Sequence, residues 1–201
     1  MLEYEKKIPL SEEEYLTLLE IMCTHPPTKV QTNYYYDTDD FSMNKKGITC
    51  RIREKNGHYK ATVKKHNMYS KDSSIELSSE VESILDDSLF AGMGVKLMGS
   101  LRTERTVIHS DGSCEIVLDK NTYLNFTDYE LEVEYLPNCE ERAQRFIYGL
   151  AEALYVCNKQ MSISQFGERA NFSKSKSSRF FERLTENKGG DKNAIGFKTN
   201  F

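Results

Sequence analysis

The sequence predicts an α+β fold, an antiparallel β-sheet with helices packed against it, on three observations. Turn signals at Asp39-Asp40, Asn56-Gly57 and Asp111-Gly112 divide the chain from Pro26-Pro27 to about residue 136 into short β-branched and aromatic segments. Within those segments charged and apolar residues alternate, which is the period of a strand with two unlike faces. On either side of this stretch the period changes to that of a helix.

Taken in order, a first strand is expected over about residues 2–8. Ser11-Glu12-Glu13-Glu14 then forms an S-x-x-E capping box, and Tyr15, Leu18, Leu19 and Met22 follow at helical spacing to about Cys23. Pro26-Pro27 ends that helix. The strands come next, interrupted by a helix near 83–91, where Ile84, Leu85, Ser88 and Leu89 fall on one side. From Cys139, the positions Ala143, Phe146, Ile147, Leu150 and Leu154 predict a helix of about four turns. A later helix carries Phe180, Phe181 and Leu184. The last stretch, 185–201, has no period and is expected to be a mobile tail behind a single domain spanning 1–184.

Composition narrows the function. The 201 residues hold 27 Lys and Arg against 31 Asp and Glu, a net charge of −4, so no basic excess points to nucleic acid. Nothing in the chain approaches the run of about 18 apolar residues that spans a bilayer, and no membrane partner is expected. The start, Met1 to Lys7, has neither a basic region nor an apolar stretch behind it, which predicts a cytoplasmic protein. Five widely spaced cysteines without a C-x-x-C read as reduced core thiols. The four histidines lack H-E-x-x-H spacing, and there is no phosphate loop of the G-x-x-x-x-G-K kind and no G-x-G-x-x-G.

The informative pattern is the sorting of charge by strand. Glu3, Glu5 and Lys7 share one face of the first segment; Arg51 and Arg53 stand opposite Ile48, Cys50 and Ile52; Lys60, Thr62 and Lys64 stand opposite Tyr59, Ala61 and Val63. Glu76, Glu80 and Glu82 share a face, as do Glu115 and Asp119, and then Glu130, Glu132 and Glu134. Arg105 alternates with Arg102, which parity turns the other way. An ordinary sheet with its charged face in water accounts for alternation alone. Whole segments of one sign are better accounted for by closing the sheet, which brings acidic and basic strands face to face across a charged lumen with an apolar exterior under the helices. Carboxylates are hard ligands for Mg²⁺ or Mn²⁺, and guanidinium and ammonium groups match phosphate oxygens.

These residues carry a resemblance. Glu3-x-Glu5-x-Lys7 at the N-terminus is similar to the signature of the CYTH family, the triphosphate tunnel metalloenzymes. Arg51-x-Arg53, Lys64 in Ala-Thr-Val-Lys, Arg105, Asp119, the run Tyr129 to Glu134 and the closing Ser175-Lys176-x-x-Arg179 follow in the family's order, over about residues 1–184. The resemblance implies an eight-stranded antiparallel β-barrel, a tunnel that binds a triphosphate moiety and one or two divalent cations. By that likeness Glu130 and Glu132, with Glu3 and Glu5, hold Mg²⁺ or Mn²⁺, and Glu76 and Asp119 are further contributors. Lys7, Arg51, Arg53, Lys64 and Arg105 clamp phosphate oxygens, joined by Lys60 and Lys176, while Glu3, Glu5 and Lys7 form the catalytic group.

The function expected is that of a metal-dependent triphosphatase releasing orthophosphate from a small-molecule substrate, most simply inorganic triphosphate. Thiamine triphosphatase and a class IV-type adenylate cyclase use the same tunnel, and a non-catalytic triphosphate- or polyphosphate-binding module is the alternative of another class. Tyr34-Tyr35-Tyr36 and Cys50 read as packing residues, and the apolar helix faces would also support a homodimer.

Overall fold

The computed structural model describes residues 4–22, 28–66, 74–157 and 162–194. Eight strands are arranged as β1 (Tyr4–Leu10), β2 (Thr28–Asp37), β3 (Ile48–Lys55), β4 (His58–His66), β5 (Ser74–Val81), β6 (Lys96–Ser110), β7 (Cys114–Tyr123) and β8 (Phe126–Tyr135). The helices are α1 (Glu12–Met22), the single turn α2 (Ser42–Lys45), α3 (Glu140–Cys157), α4 (Ile163–Glu168) and α5 (Lys176–Ala194). All strand pairings are antiparallel, in the order β1-β8-β7-β6-β2-β3-β4-β5. Strands β1 and β5 are the two edges of this ladder, yet residues of both line one cavity, so the sheet is curled around it.

Local chemistry accounts for the element boundaries. The capping box forms as the sequence predicts: Ser11 N–H donates to Glu14 Oε2 at 2.8 Å and Glu14 N–H to Ser11 Oγ at 3.1 Å. Asn56 and Gly57 take φ of 55° and 78°, the paired positive values of a tight hairpin turn between β3 and β4. The helix expected near 83–91 is replaced by turns and a short 3₁₀ segment at Ser88–Phe90. There Ser83 Oγ and the Asp86 carboxylate accept from the N–H groups of Leu85 and Ser88, and such local bonds compete with a helical ladder. The stretch from Thr185, which has no period in sequence, continues α5 as far as Ala194; residues 195–201 lie outside the described ones.

The outer face of β1, β7 and β8 packs on α1, α3 and α4 through Ile8, Leu18, Ile116, Leu118, Leu131, Val133, Ile147, Leu150, Leu154 and Phe166. A smaller cluster of Tyr36, Cys50, Ile52, Ala61 and Phe90 covers the outside of β2–β4. Burial and the nearby Asp37 push the Cys50 thiol up to about 11, in keeping with a packing role. Of the other cysteines, Cys114 is buried while Cys157 is exposed, and Cys23 lies outside the described residues. Among the described residues no helix is long and apolar enough to cross a membrane.

A third cluster occupies one end of the lumen. Tyr35, Leu101 and Tyr123 share the inward parity of the charged residues, and against them sit Phe180 and Phe181 of α5. Helix α5 thus plugs one end of the curled sheet with its rings and directs its first turn at the charged part. Gly99, with φ of 150°, leaves room for this, because a Cβ there would stand 2.9 Å from Phe180 Cζ. Gly99→Ala is therefore expected to destabilise the chain by about 1–3 kcal/mol through overpacking, read from the midpoint of urea denaturation. Unchanged stability would show that Phe180 is not firmly seated.

Candidate active site

The lumen is a cavity of about 1560 Å³, and strand register decides which charges meet in it. Pairing of β1 with β8 sets Glu5 beside Glu134 and Lys7 beside Glu132. Pairing of β7 with β8 sets Asp119 beside Glu130, and β6 brings Arg105 beside Asp119. One wall is thereby acidic. Two sets of carboxylates on it, Glu5 with Glu132 and Glu134, and Asp119 with Glu130 and Glu132, each bring oxygens within 4.8 Å of one another.

The two sets differ in compensation. Arg105 grips Asp119 with both Nε and Nη2, at 2.9 and 2.7 Å, and also contacts Glu132. Lys176 Nζ lies 2.8 Å from Asp119 and 2.5 Å from Glu130 and Glu132. Arg179 reaches Glu130 at 2.9 Å and Asp128 at 2.9 Å. Burial, the largest influence, would raise the Glu130 and Glu132 carboxyls; Lys176 together with Lys7 and Arg105 at Glu132, and together with Arg179 at Glu130, outweighs it and holds both below the usual carboxylate range. Glu134 goes the other way: burial, and then the charge of Glu5, raise its carboxyl. The Glu5 and Glu134 end of the wall has fewer cation contacts, Lys7 at Glu5 and Arg105 at 3.7 Å from Glu134, and its all-oxygen donor set suits a hard divalent cation.

The opposite wall is basic. Arg51 and Arg53 of β3 and Lys64 of β4 line the cavity. Among the described residues none of the three forms an ion pair. Arg53 donates from Nε to Asn33 Oδ1 at 2.9 Å, and Arg51 Nε and Asn33 Nδ2 are buried without partners. Burial, reinforced by Arg51, pushes the Arg53 guanidinium down to about 10 and lowers Lys64 as well. The three are half-buried, with Glu76 of β5 beside Lys64 in the register, and together on one wall they form a receptor for a polyanion.

The structure distributes the predicted residues as follows. Glu5, Lys7, Arg51, Arg53, Lys64, Glu76, Arg105, Glu132 and Lys176 line one cavity. Asp119 and Glu130 are buried behind its surface. Lys60, expected as a phosphate contact, is exposed beyond the lining, beside Glu80 in the β4–β5 register. Glu3 lies outside the described residues. Arg105 and Lys176, expected to clamp phosphate, are engaged by carboxylates, because the register and the seat of α5 place them on the acidic wall. Glu134 and Asn33 were not among the expected site residues, and Arg179, part of the expected C-terminal basic patch, pairs with Asp128 and Glu130. Glu134 shares the parity of Glu130 and Glu132 and was legible from it; Asn33 carries no such signal.

Comparison with known proteins agrees with this architecture. The profile of the CYTH domain matches residues 1–159. YjbK of Bacillus subtilis (strain 168), named as a candidate triphosphatase, is 32% identical over 147 residues, covering 66% of this chain and 77% of its own. The crystal structure of a candidate adenylate cyclase from Bacillus halodurans superposes with a TM-score of 0.60 at 25% identity, over 75% of this chain and 92% of that one. The structure of Hippeastrum HpAC1, a candidate adenylyl cyclase described as having a dominant triphosphatase activity, gives 0.58 at 20% identity, over 75% and 86%.

The lowered Glu130 and Glu132 carboxyls have a consequence for stability. As pH falls below their ordinary value of 4.5, the unfolded chain takes up protons before the folded one, so stability present above 4.5 is lost with acid. Lys176→Met is expected to cost about 3–5 kcal/mol near neutrality and to flatten that acid-induced loss, as measured by thermal melts through and below this pH. An acid profile identical to that of the unsubstituted chain would separate Lys176 from these two carboxylates.

Proposed function

The chain belongs to the CYTH domain family, and on that premise we propose that it is a divalent-metal-dependent triphosphatase acting on inorganic triphosphate. The observation that carries this reading is the pair of opposed walls in one cavity: a basic face that forms no ion pair among the described residues, and an acidic face with fewer cation contacts at Glu5 and Glu134 than at the inner carboxylates. A short, flexible, highly charged anion fits between them. Tyr35 does not offer a platform for an organic ring, since its own ring packs on Phe180 at 4.9 Å.

In this reading Arg51, Arg53 and Lys64 bind the phosphate chain and hold it in one orientation. Arg guanidinium forks suit the non-bridging oxygens, and Asn33 fixes the Arg53 fork by accepting from Nε. Lys7, paired with Glu5 and 3.8 Å from Glu132, stands between the walls and reaches toward the anion. Glu5, Glu132 and Glu134 fit Mg²⁺ or Mn²⁺ in donor type and spacing. When bound, such an ion supplies charge neutralisation to the phosphate oxygens.

Water is the nucleophile. Its oxygen bonds to a terminal phosphorus, the bond from that phosphorus to the bridging oxygen breaks, and orthophosphate and pyrophosphate result, one of the water's protons staying on the orthophosphate and the other passing to the leaving pyrophosphate oxygen. Glu5, on the edge strand β1, accepts a hydrogen bond from the incoming water and orients it, while the basic wall takes up charge on the leaving pyrophosphate. No covalent intermediate is required.

Phosphate release from inorganic triphosphate with Mg²⁺ or Mn²⁺ tests the reading. Arg53→Ala and Glu5→Gln are each expected to lower it by on the order of 10²–10³ while leaving the circular dichroism spectrum unchanged. Triphosphate binding without release by the unsubstituted chain would make this a binding module, and near-normal turnover in either variant would overturn its assigned role.

A further inference from the structure

The inner carboxylates, Asp119, Glu130 and Glu132, are all buried and have the spacing of a second divalent-cation site beside the outer group of Glu5, Glu132 and Glu134. A cation is already there. Lys176 Nζ lies 2.8 Å from Asp119 and 2.5 Å from each of the glutamates, so one ammonium touches all three carboxylates. Arg105 adds its two contacts to Asp119, and Arg179 closes the far side at Glu130. Three protein cations thus face three acids, and a divalent ion entering among them would have to displace the Lys176 ammonium from the oxygens it already contacts.

Lys176 is also held by its backbone. Ser175 Oγ accepts from Ser178 N–H at 3.1 Å in the first turn of α5, and Phe180, one turn on, is fully buried between Tyr35 and Tyr123. Removing the ammonium would require either withdrawing that turn or swinging the side chain off three carboxylates at once. The outer group differs in exposure: Lys7 contacts Glu5 and Arg105 comes to 3.7 Å from Glu134, but Glu5 is exposed and, among the described residues, no single cation touches all three of its carboxylates.

We propose that the Lys176 ammonium is the resident cation of the inner carboxylates, so that this chain binds one divalent ion, at Glu5, Glu132 and Glu134, where its acids could otherwise hold two. The proposal rests on the metal dependence proposed above and refines it: one of the two positions is served by a tethered side chain that neither dissociates nor exchanges. Asp119 is then a counter-ion of Arg105 and Lys176 and not a metal ligand.

Counting bound Mn²⁺ on the full chain, by electron paramagnetic resonance of the free ion with no substrate present, tests it. One ion per unsubstituted chain, two per Lys176→Met chain, and one at unchanged affinity in Asp119→Asn are expected. Two ions on the unsubstituted chain, one on a Lys176→Met chain with native circular dichroism, or loss of the ion in Asp119→Asn would overturn the proposal. Where Lys176→Met fails to fold, the other two counts decide. Absence of Mn²⁺ from every chain, with inorganic triphosphate still bound, would overturn the metal reading itself and this inference with it.

Discussion

Inside the curled sheet, Lys176 stands among Asp119, Glu130 and Glu132, and this set of contacts ties the C-terminal helix to the strands that carry the acids. Buried carboxylates at this spacing repel one another and are poorly solvated, so they persist only beside positive charge. Register supplies Arg105 from β6, and α5 supplies Lys176 and Arg179. The helix can do so because the lumen changes character along its length: at one end the inward positions of β2, β6 and β7 become Tyr35, Leu101 and Tyr123, an apolar seat for Phe180.

The two walls then have different tasks. On the acidic wall the protein provides most of its own counter-charge, and what is left over at Glu5 and Glu134 lies toward the open part of the cavity. On the basic wall no ion pair forms among the described residues, leaving Arg51, Arg53 and Lys64 as half-buried positive charge that an anion would relieve. The apolar exterior under α1, α3 and α4 is the stabilising counterpart, a continuous core that allows the inside of the sheet to be given over to charge.

Much of this was legible in the sequence because strand parity is a strict rule. Glu5 and Lys7, Arg51 and Arg53, Lys64, Arg105 and the β8 glutamates fall on the lumen side as alternation requires, and Arg102 falls outside, paired with Glu104. Parity gives the face but not the neighbour. That Arg105 meets Asp119 across β6 and β7 depends on register, and that Lys176 enters the acidic wall depends on the seat of Phe180, some sixty residues from Asp119 in sequence and unmarked by any local pattern. Near 83–91 the apolar spacing suggested a helix, and short polar side chains bonding to their own backbone produced turns.

The most direct test of two walls acting on one anion is a crystal structure of the chain soaked with inorganic triphosphate and Mn²⁺. The account predicts phosphate density against Arg51, Arg53 and Lys64, the ion on Glu5, Glu132 and Glu134, and Lys176 still among the inner carboxylates. Triphosphate bound outside the lumen, or a basic wall left without phosphate in a loaded cavity, would contradict it.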